Sequence, residues 1–145
     1  MSTPSLRILL VDDSPGDIAL IAEAFREWRS ANEVAVLEDG EQALQYLRQE
    51  GRFAGEPRPD LILLDLNLPK RDGREVLQEI KSSPEFRDIP VVILTTSNAE
   101  QDVLQAYQLH ANCYLTKPLD TEEFIGRIRA IEDFWCMQVR LPQRL

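Results

Sequence analysis

Reactive side chains recur in this chain at one kind of place, the residue that follows a short aliphatic run. Asp12 and Asp13 follow Leu6–Val11, Asp65 follows Leu61–Leu64, Thr95 follows Val91–Leu94, and Lys117 closes Asn112–Thr116. Each has a bland explanation. Asp65 can cap the next turn, a paired Asp can start a helix, a Thr at a strand end is usually structural, and a Lys before a proline usually sits in water. Brought to one cleft, they make chemistry. Two carboxylates ~4 Å apart repel by about 4 kcal/mol at an effective dielectric of 20, so three together must rise in pKa or hold a cation. A hard divalent ion with oxygen ligands answers that need, and Mg²⁺ favours a few carboxylates, waters and a phosphoryl oxygen. Asp65 can then offer one oxygen to the metal and the other to phosphorus as a nucleophile. Lys117 would neutralise charge on a transferring phosphoryl group while the Thr95 hydroxyl donates to another of its oxygens.

The runs themselves say how these residues are placed. Leu61–Leu64 is apolar at every position, the pattern of a strand covered on both faces of a parallel sheet. Leu6–Val11, Val34–Leu37, Val91–Leu94 and Asn112–Thr116 read as four more strands. Between them stand helix signals. Ser14, Pro15 and Asp17 give a cap, a first-turn proline and an early acid. Behind them Ile18, Ile21, Ala22, Phe25 and Trp28 share a face. Asp39 with Gln42, Asp72 before Gly73, Ser97 with Glu100, and Asp120 with Glu123 announce the other helices. Their apolar stripes are Leu44 and Leu47; Val76, Leu77 and Ile80; Val103, Leu104 and Tyr107; and Phe124, Ile128, Ile131 and Trp135. Strands alternating with helices predict an α/β fold, a flavodoxin-like (βα)5 doubly wound parallel sheet in the order 2-1-3-4-5. Ligands of such sheets bind beyond the carboxyl ends of the strands, at the switch point between the first and third. Asp12, Asp13 and Asp65 stand there.

At 145 residues the chain fits one domain with a sizeable core. Its net charge of -9 argues against direct contact with nucleic acid. Met1–Ser5 is polar and the apolar run behind it short, so no signal peptide is expected. No stretch approaches the ~18 apolar residues of a membrane span. Cys113 and Cys136 lack metal spacing and read as reduced, packed thiols, which suits the cytoplasm.

With these residues in hand, the chain resembles the response-regulator receiver domains. The resemblance rests on Asp12-Asp13 after the first strand, Asp65 within Leu63-Leu64-Asp65-Leu66-Asn67-Leu68-Pro69, Gly73, Thr95 and Lys117-Pro118, and it spans residues 6 to 135. It implies that Asp65 accepts a phosphoryl group from a sensor histidine kinase. It also implies that Asp13, Asp65 and the backbone carbonyl of Asn67 bind Mg²⁺, with Asp12 assisting through water. Thr95 and Lys117 would be the catalytic pair, and Thr95 with Tyr114 the switch reshaping the face of the fourth helix, fifth strand and fifth helix. By the same resemblance the Lys117–Pro118 bond would be cis. Residues 63–77, Pro90–Ser97, Asn112–Lys117 and the end from Ile131 to Pro142 are similar to the small single-domain regulators of bacterial phytochromes. That implies a light-sensing kinase as donor and a homodimer.

Several readings stay open. The domain organisation expected is a receiver over residues 1–136 and an extension over 137–145, with no output domain. Phe134, Trp135, Met137, Val139 and Leu141 are much apolar surface for a frayed end. Phe134, Trp135, Val139 and Leu141 are candidates for a dimer interface, with packing inside the chain as the alternative. His110, the only histidine, is either a phosphoryl relay or, more in keeping with its place after the fourth helix, a dipole contact. A rival function is a haloacid-dehalogenase-type phosphatase, which also uses an Asp nucleophile, Thr, Lys and Mg²⁺. Those enzymes place the nucleophile on the first strand with a general acid two residues on, whereas Asn67 stands at that position here and cannot shuttle a proton. A pseudo-receiver acting only as an interaction module is the third reading. The intact acid triad, Thr95 and Lys117 weigh against it.

Overall fold

The computed structural model describes residues 6–27 and 32–142; Trp28 and the polar start lie outside the described residues. Five strands, β1 (Arg7–Val11), β2 (Glu33–Leu37), β3 (Leu61–Leu64), β4 (Val91–Thr95) and β5 (Cys113–Thr116), alternate with five helices. These are α1 (Pro15–Glu27), α2 (Gly40–Leu47), α3 (Gly73–Ser82), α4 (Glu100–Gln108) and α5 (Thr121–Glu132). The sheet is parallel throughout in the order β2-β1-β3-β4-β5, as the alternation predicts.

Continuous apolar strands need covers on both sides, and the period of two decides which residue meets which cover. Leu9, Val11, Ile62, Leu64, Val91 and Ile93 meet Leu44 and Leu47 of α2 and Val76, Leu77 and Ile80 of α3 on one face. Ile8, Leu10, Leu61, Leu63, Val92 and Leu94 meet Ile21 and Phe25 of α1 and Phe124, Ile128 and Ile131 of α5 on the other. Burying each such side chain contributes roughly 1.5–3 kcal/mol, which pins the register. In that register Val11 pairs with Leu64 and Leu64 with Ile93, so Asp12 and Asp65 leave the sheet level with each other. Thr95 pairs with Thr116, putting Lys117 one step further on the same edge.

Three expectations change. The fourth helix is not opened by a Ser97–Glu100 capping box: its N-cap is Ala99, without a side-chain bond, and the Ser97 hydroxyl donates to Asp102 instead. Its stripe is also not buried as expected. Only Ala106 is fully covered, while Leu104 and Tyr107 are 59% and 49% exposed, because α4 lies over β5, an edge strand whose own residues are all half-buried. The Lys117–Pro118 bond is trans, the form an X–Pro bond prefers by about 0.5–1 kcal/mol. Beyond α5 the backbone widens into a π-helical segment, Asp133–Gln138. Trp135, half-buried, packs against the cluster of Phe124, Ile128 and Ile131 as its place on that side predicts, and Cys136 is buried in the same cluster.

Asp39 and Asp120 cap α2 and α5 as expected, accepting from the amides of Gln42 and Glu123. His110 is exposed and follows α4 at a φ of 72°, its amide donating to the Tyr107 carbonyl. No helix among the described residues is long and apolar enough to cross a membrane.

Candidate functional site

Where the carboxyl ends of β1, β3 and β5 meet, one ammonium faces three carboxylates. Lys117 Nζ donates to Asp12 Oδ2 at 2.7 Å, to Asp65 Oδ2 at 2.9 Å and to Asp17 Oδ2 at 2.9 Å. A lysine has three donors and all are spent here. Lys117, Asp12 and Asp65 are buried, at 5%, 1% and 7% exposure, so water screens these contacts little. Burial alone would lower the Lys117 pKa. Its hydrogen bonds to Asp12, Asp17 and Asp65 outweigh that and hold the ammonium charged well above its ordinary range.

One lysine does not satisfy the acids. Burial pushes the Asp12 carboxyl above its usual range, although Lys117 and the Ser14 amide both stabilise its ionised form. Asp13 is exposed beside it, and single oxygens of Asp12, Asp13 and Asp65 lie within 4.8 Å of one another. Oxygen-only donors with excess negative charge at a partly open rim suit a hard divalent cation. The donor set therefore fits the metal that the sequence implied.

The turn after β3 resolves the two readings of Asp65. Its Oδ1 accepts from the Asn67 amide at 3.1 Å, an Asx turn, while Oδ2 takes Lys117. Asp65 is a turn cap and a member of the acid cluster at once. Gly73 makes this possible by close approach: a Cβ there would stand 2.2 Å from the Asp65 carbonyl oxygen and 2.6 Å from Leu66 Cα. No other residue lets α3 begin against that backbone.

Thr95 ends β4 fully buried, and its hydroxyl has no hydrogen-bond partner. An unsatisfied buried hydroxyl costs about 1–3 kcal/mol, so this donor is left available. Tyr114, half-buried on β5, donates its hydroxyl to the Ser97 carbonyl at 2.9 Å. All the expected residues thus gather at one sheet edge except the tail: Phe134, Trp135, Val139 and Leu141 belong to or follow the π-helical segment after α5. Sequence reasoning missed Asp17. Its place in the first turn of α1 had a sufficient local explanation, an acid at a helix N-terminus. Only the unspent third donor of Lys117 could have pointed to it.

The family model of the response regulator receiver domain matches residues 8–129. This chain belongs to that family. Over 141 residues the receiver is 49% identical to "Response regulator Rcp1" of Synechocystis, across 97% of this chain and 96% of that one. Among solved structures, the phosphorylated cyanobacterial phytochrome response regulator RcpA is similar to the receiver with a TM-score of 0.94 at 49% identity, covering 97% of this chain and 100% of that chain. The Mn²⁺-bound form of Rcp1 gives 0.93 at 48% identity, covering 95% and 99%. The receiver is therefore a two-component response regulator by homology, a signalling protein whose fold carries an acidic pocket for a divalent metal. The dehalogenase-type reading falls with that membership.

Proposed function

We propose that the receiver takes a phosphoryl group on Asp65 from a sensor histidine kinase and passes the signal on through its surface. One observation carries this reading: Lys117 Nζ bridges the buried carboxylates of Asp12 and Asp65 at the sheet edge where Thr95 ends β4 with its buried hydroxyl unpartnered. In the transfer, a carboxylate oxygen of Asp65 forms a bond to phosphorus as the phosphorus–nitrogen bond of the donor's phosphohistidine breaks. The imidazole keeps the electron pair. Lys117 is already placed on Asp65 to stabilise the new negative charge, and the Thr95 hydroxyl gains its missing acceptor. Asp12, Asp13, Asp65 and the backbone carbonyl of Asn67 would hold Mg²⁺, which when bound supplies charge neutralisation to the phosphoryl oxygens. Asn67 offers no base to activate water, so the acyl phosphate persists, as a switch requires and a turnover enzyme does not.

The relatives support narrower readings. A cyanobacterial phytochrome response regulator matches over nearly the whole chain, which favours a phytochrome kinase as donor. A cytoplasmic place beside such a kinase fits two thiols that are free in the structure. The receiver would occupy residues 1–136, with 137–145 as an extension that helps form a homodimer. Phe134 at 49% and Met137 at 37% exposure leave apolar surface on that segment, and Trp135, Val139 and Leu141 flank it. The net charge of -9 disfavours nucleic acid as the downstream partner.

The decisive experiment is incubation with a small acyl phosphate and Mg²⁺ followed by intact-mass measurement. One phosphoryl group should be gained, and the gain should vanish in Asp65→Asn. A gain that survives that substitution would place the acceptor elsewhere.

A further inference from the structure

The acid cluster absorbs most of the charged groups at this end of the sheet, but one half-buried ion pair on its rim is unused. Arg74, in the first turn of α3, donates through one guanidinium nitrogen to Asp102 Oδ1 of α4 at 2.9 Å and through another to Asp72. The other oxygen of Asp102 accepts from the Ser97 hydroxyl at 2.5 Å. The carbonyl of the same Ser97 receives the Tyr114 hydroxyl from β5. Four groups on α3, α4, the β4–α4 connection and β5 therefore form one unbroken line. Ser97 is its pivot, using its side chain toward one end and its backbone toward the other. The hydrogen bond from Ser97 and the Arg74 pair hold the Asp102 carboxyl below its ordinary range, so the line stays intact at neutral pH.

We propose that Arg74 and Asp102 are positioning residues that clasp the β4–α4 connection and thereby hold Tyr114 against Ser97. The physical case rests on what α4 lacks. It has no side-chain N-cap, only Ala106 of its face is fully buried, and it covers an edge strand. Its apolar packing is thus too thin to fix where it begins. A guanidinium on α3 supplies that fix, because its planar donors hold two acids in set directions. Gly73, immediately before Arg74, is locked against the Asp65 and Leu66 backbone. The clasp is therefore anchored to the turn that carries Asp65, and the connection it holds starts one residue after Thr95. Anything that shifts Thr95 must move Ser97 against this line. Arg74 and Asp102 thereby set how readily the α4–β5 face responds. This inference rests on Asp65 being the phosphoacceptor only for its second readout below.

The test uses the full chain with ¹³C-labelled tyrosine, the Tyr114 ring signals being assigned with Tyr114→Phe. Asp102→Asn and Arg74→Gln should each shift those signals toward free tyrosine without any phosphodonor, and the double variant should shift them no further than either single one. Ser97→Ala, a smaller change that leaves the ion pair in place, should shift them in the same direction. Arg71→Gln, which removes a neighbouring pair to Glu75 and Glu79 on α3, should leave them unmoved. With small acyl phosphate and Mg²⁺, Asp102→Asn should change the phosphorylation half-time about fivefold, as loss of a rim ion pair sets, and Asp102→Glu should recover part of it. Tyr114 signals unmoved in all three folded variants overturn the clasp. A wild-type chain that gains no phosphoryl mass overturns Asp65 instead, and the Tyr114 signals still decide the clasp.

Discussion

Replacing Lys117 by methionine tests the electrostatics of the site apart from any phosphoryl chemistry. The ammonium lies 2.7 Å from Asp12 and 2.9 Å from Asp65, which at an effective dielectric of 20 amounts to about 6 kcal/mol of gross attraction for each contact. Most of that offsets the cost of taking three ions out of water. Breaking one side of a buried pair nets about 3–5 kcal/mol, because the partner charges stay buried. Methionine fills much of the same volume, so the loss reports charge rather than a cavity. For a chain of this length about 3 °C is lost per kcal/mol, and the melting temperature should fall by about 9–15 °C in metal-free buffer.

The same variant should respond more to added Mg²⁺. In the wild type the cation competes with Lys117 for Asp12 and Asp65. Without the lysine, each tenfold gain in metal affinity adds about 1.4 kcal/mol at saturating metal, or about 4 °C. The pH dependence has a defined sign. The folded pKa of Lys117 is raised above 10.5, so its stabilisation is complete below about 10.5 and is lost only as pH climbs through the raised value. The gap between the two proteins should therefore stay level from pH 7 to 10. It should narrow on acidification, because the Asp12 carboxyl, already pushed up by burial, loses the lowering effect of Lys117 in the folded variant and takes a proton there at higher pH than in the folded wild type. A fall of less than about 3 °C by scanning calorimetry, or a Mg²⁺ response no larger than the wild type's, would refute this account of the cluster.

Three further outcomes follow. Gly73→Ala places a Cβ 2.2 Å from the Asp65 carbonyl oxygen; it should cost about 3 kcal/mol in urea unfolding, and an alanine variant of wild-type stability would show that the turn moves freely. The Cys136 thiol is pushed up to about 12, mainly by burial and then by the Glu132 charge. At pH 8 about one part in ten thousand is thiolate, so iodoacetamide should label it about a thousandfold more slowly in the native chain than in urea. Phe134→Ser with Met137→Ser removes the most exposed apolar side chains of the π-helical segment and should leave a monomer in sedimentation velocity; an unchanged dimer would move the interface elsewhere.

What the sequence showed best was what local physics decides. Strand β3 is an unbroken aliphatic run, β1 and β4 depart from one only at Arg7 and Thr95, and their covers are the stripes of the flanking helices, while the caps Asp39 and Asp120 act on amides three residues away. The acid cluster was legible because chain order and handed crossovers bring β1 beside β3, and the acids follow directly, two after β1 and one after β3. Distant partners were not. Ser97 and Glu100 have the spacing of a capping box, yet the Ser97 hydroxyl goes to Asp102, whose orientation is set by Arg74 on another helix. Asp17 was hidden by a sufficient local role. Trp135 packs on the side its helical period indicates, but the π-helical segment that carries it had no signal in the sequence.

The site is the least settled part of an otherwise well-packed molecule. Thr95 is buried with its hydroxyl unpartnered, burial pushes the Asp12 carboxyl above its usual range, and Asp65 divides its oxygens between a turn amide and a lysine. Thr95 departs from the rule that buried polar groups are satisfied, Asp12 and Asp65 are satisfied but bury charge, and the three coincide at the carboxyl edge of β1, β3 and β4 while both faces of the sheet are filled with aliphatic side chains. A stable core can carry such local cost, and departures of this kind concentrate where a protein works. The remedies differ in kind: a cation relieves the acids, and an acceptor brought to Asp65 relieves Thr95. Neither alone satisfies the whole set. On the proposed function, a phosphoryl group on Asp65 arriving with a divalent ion would, which would couple the two events through the same residues.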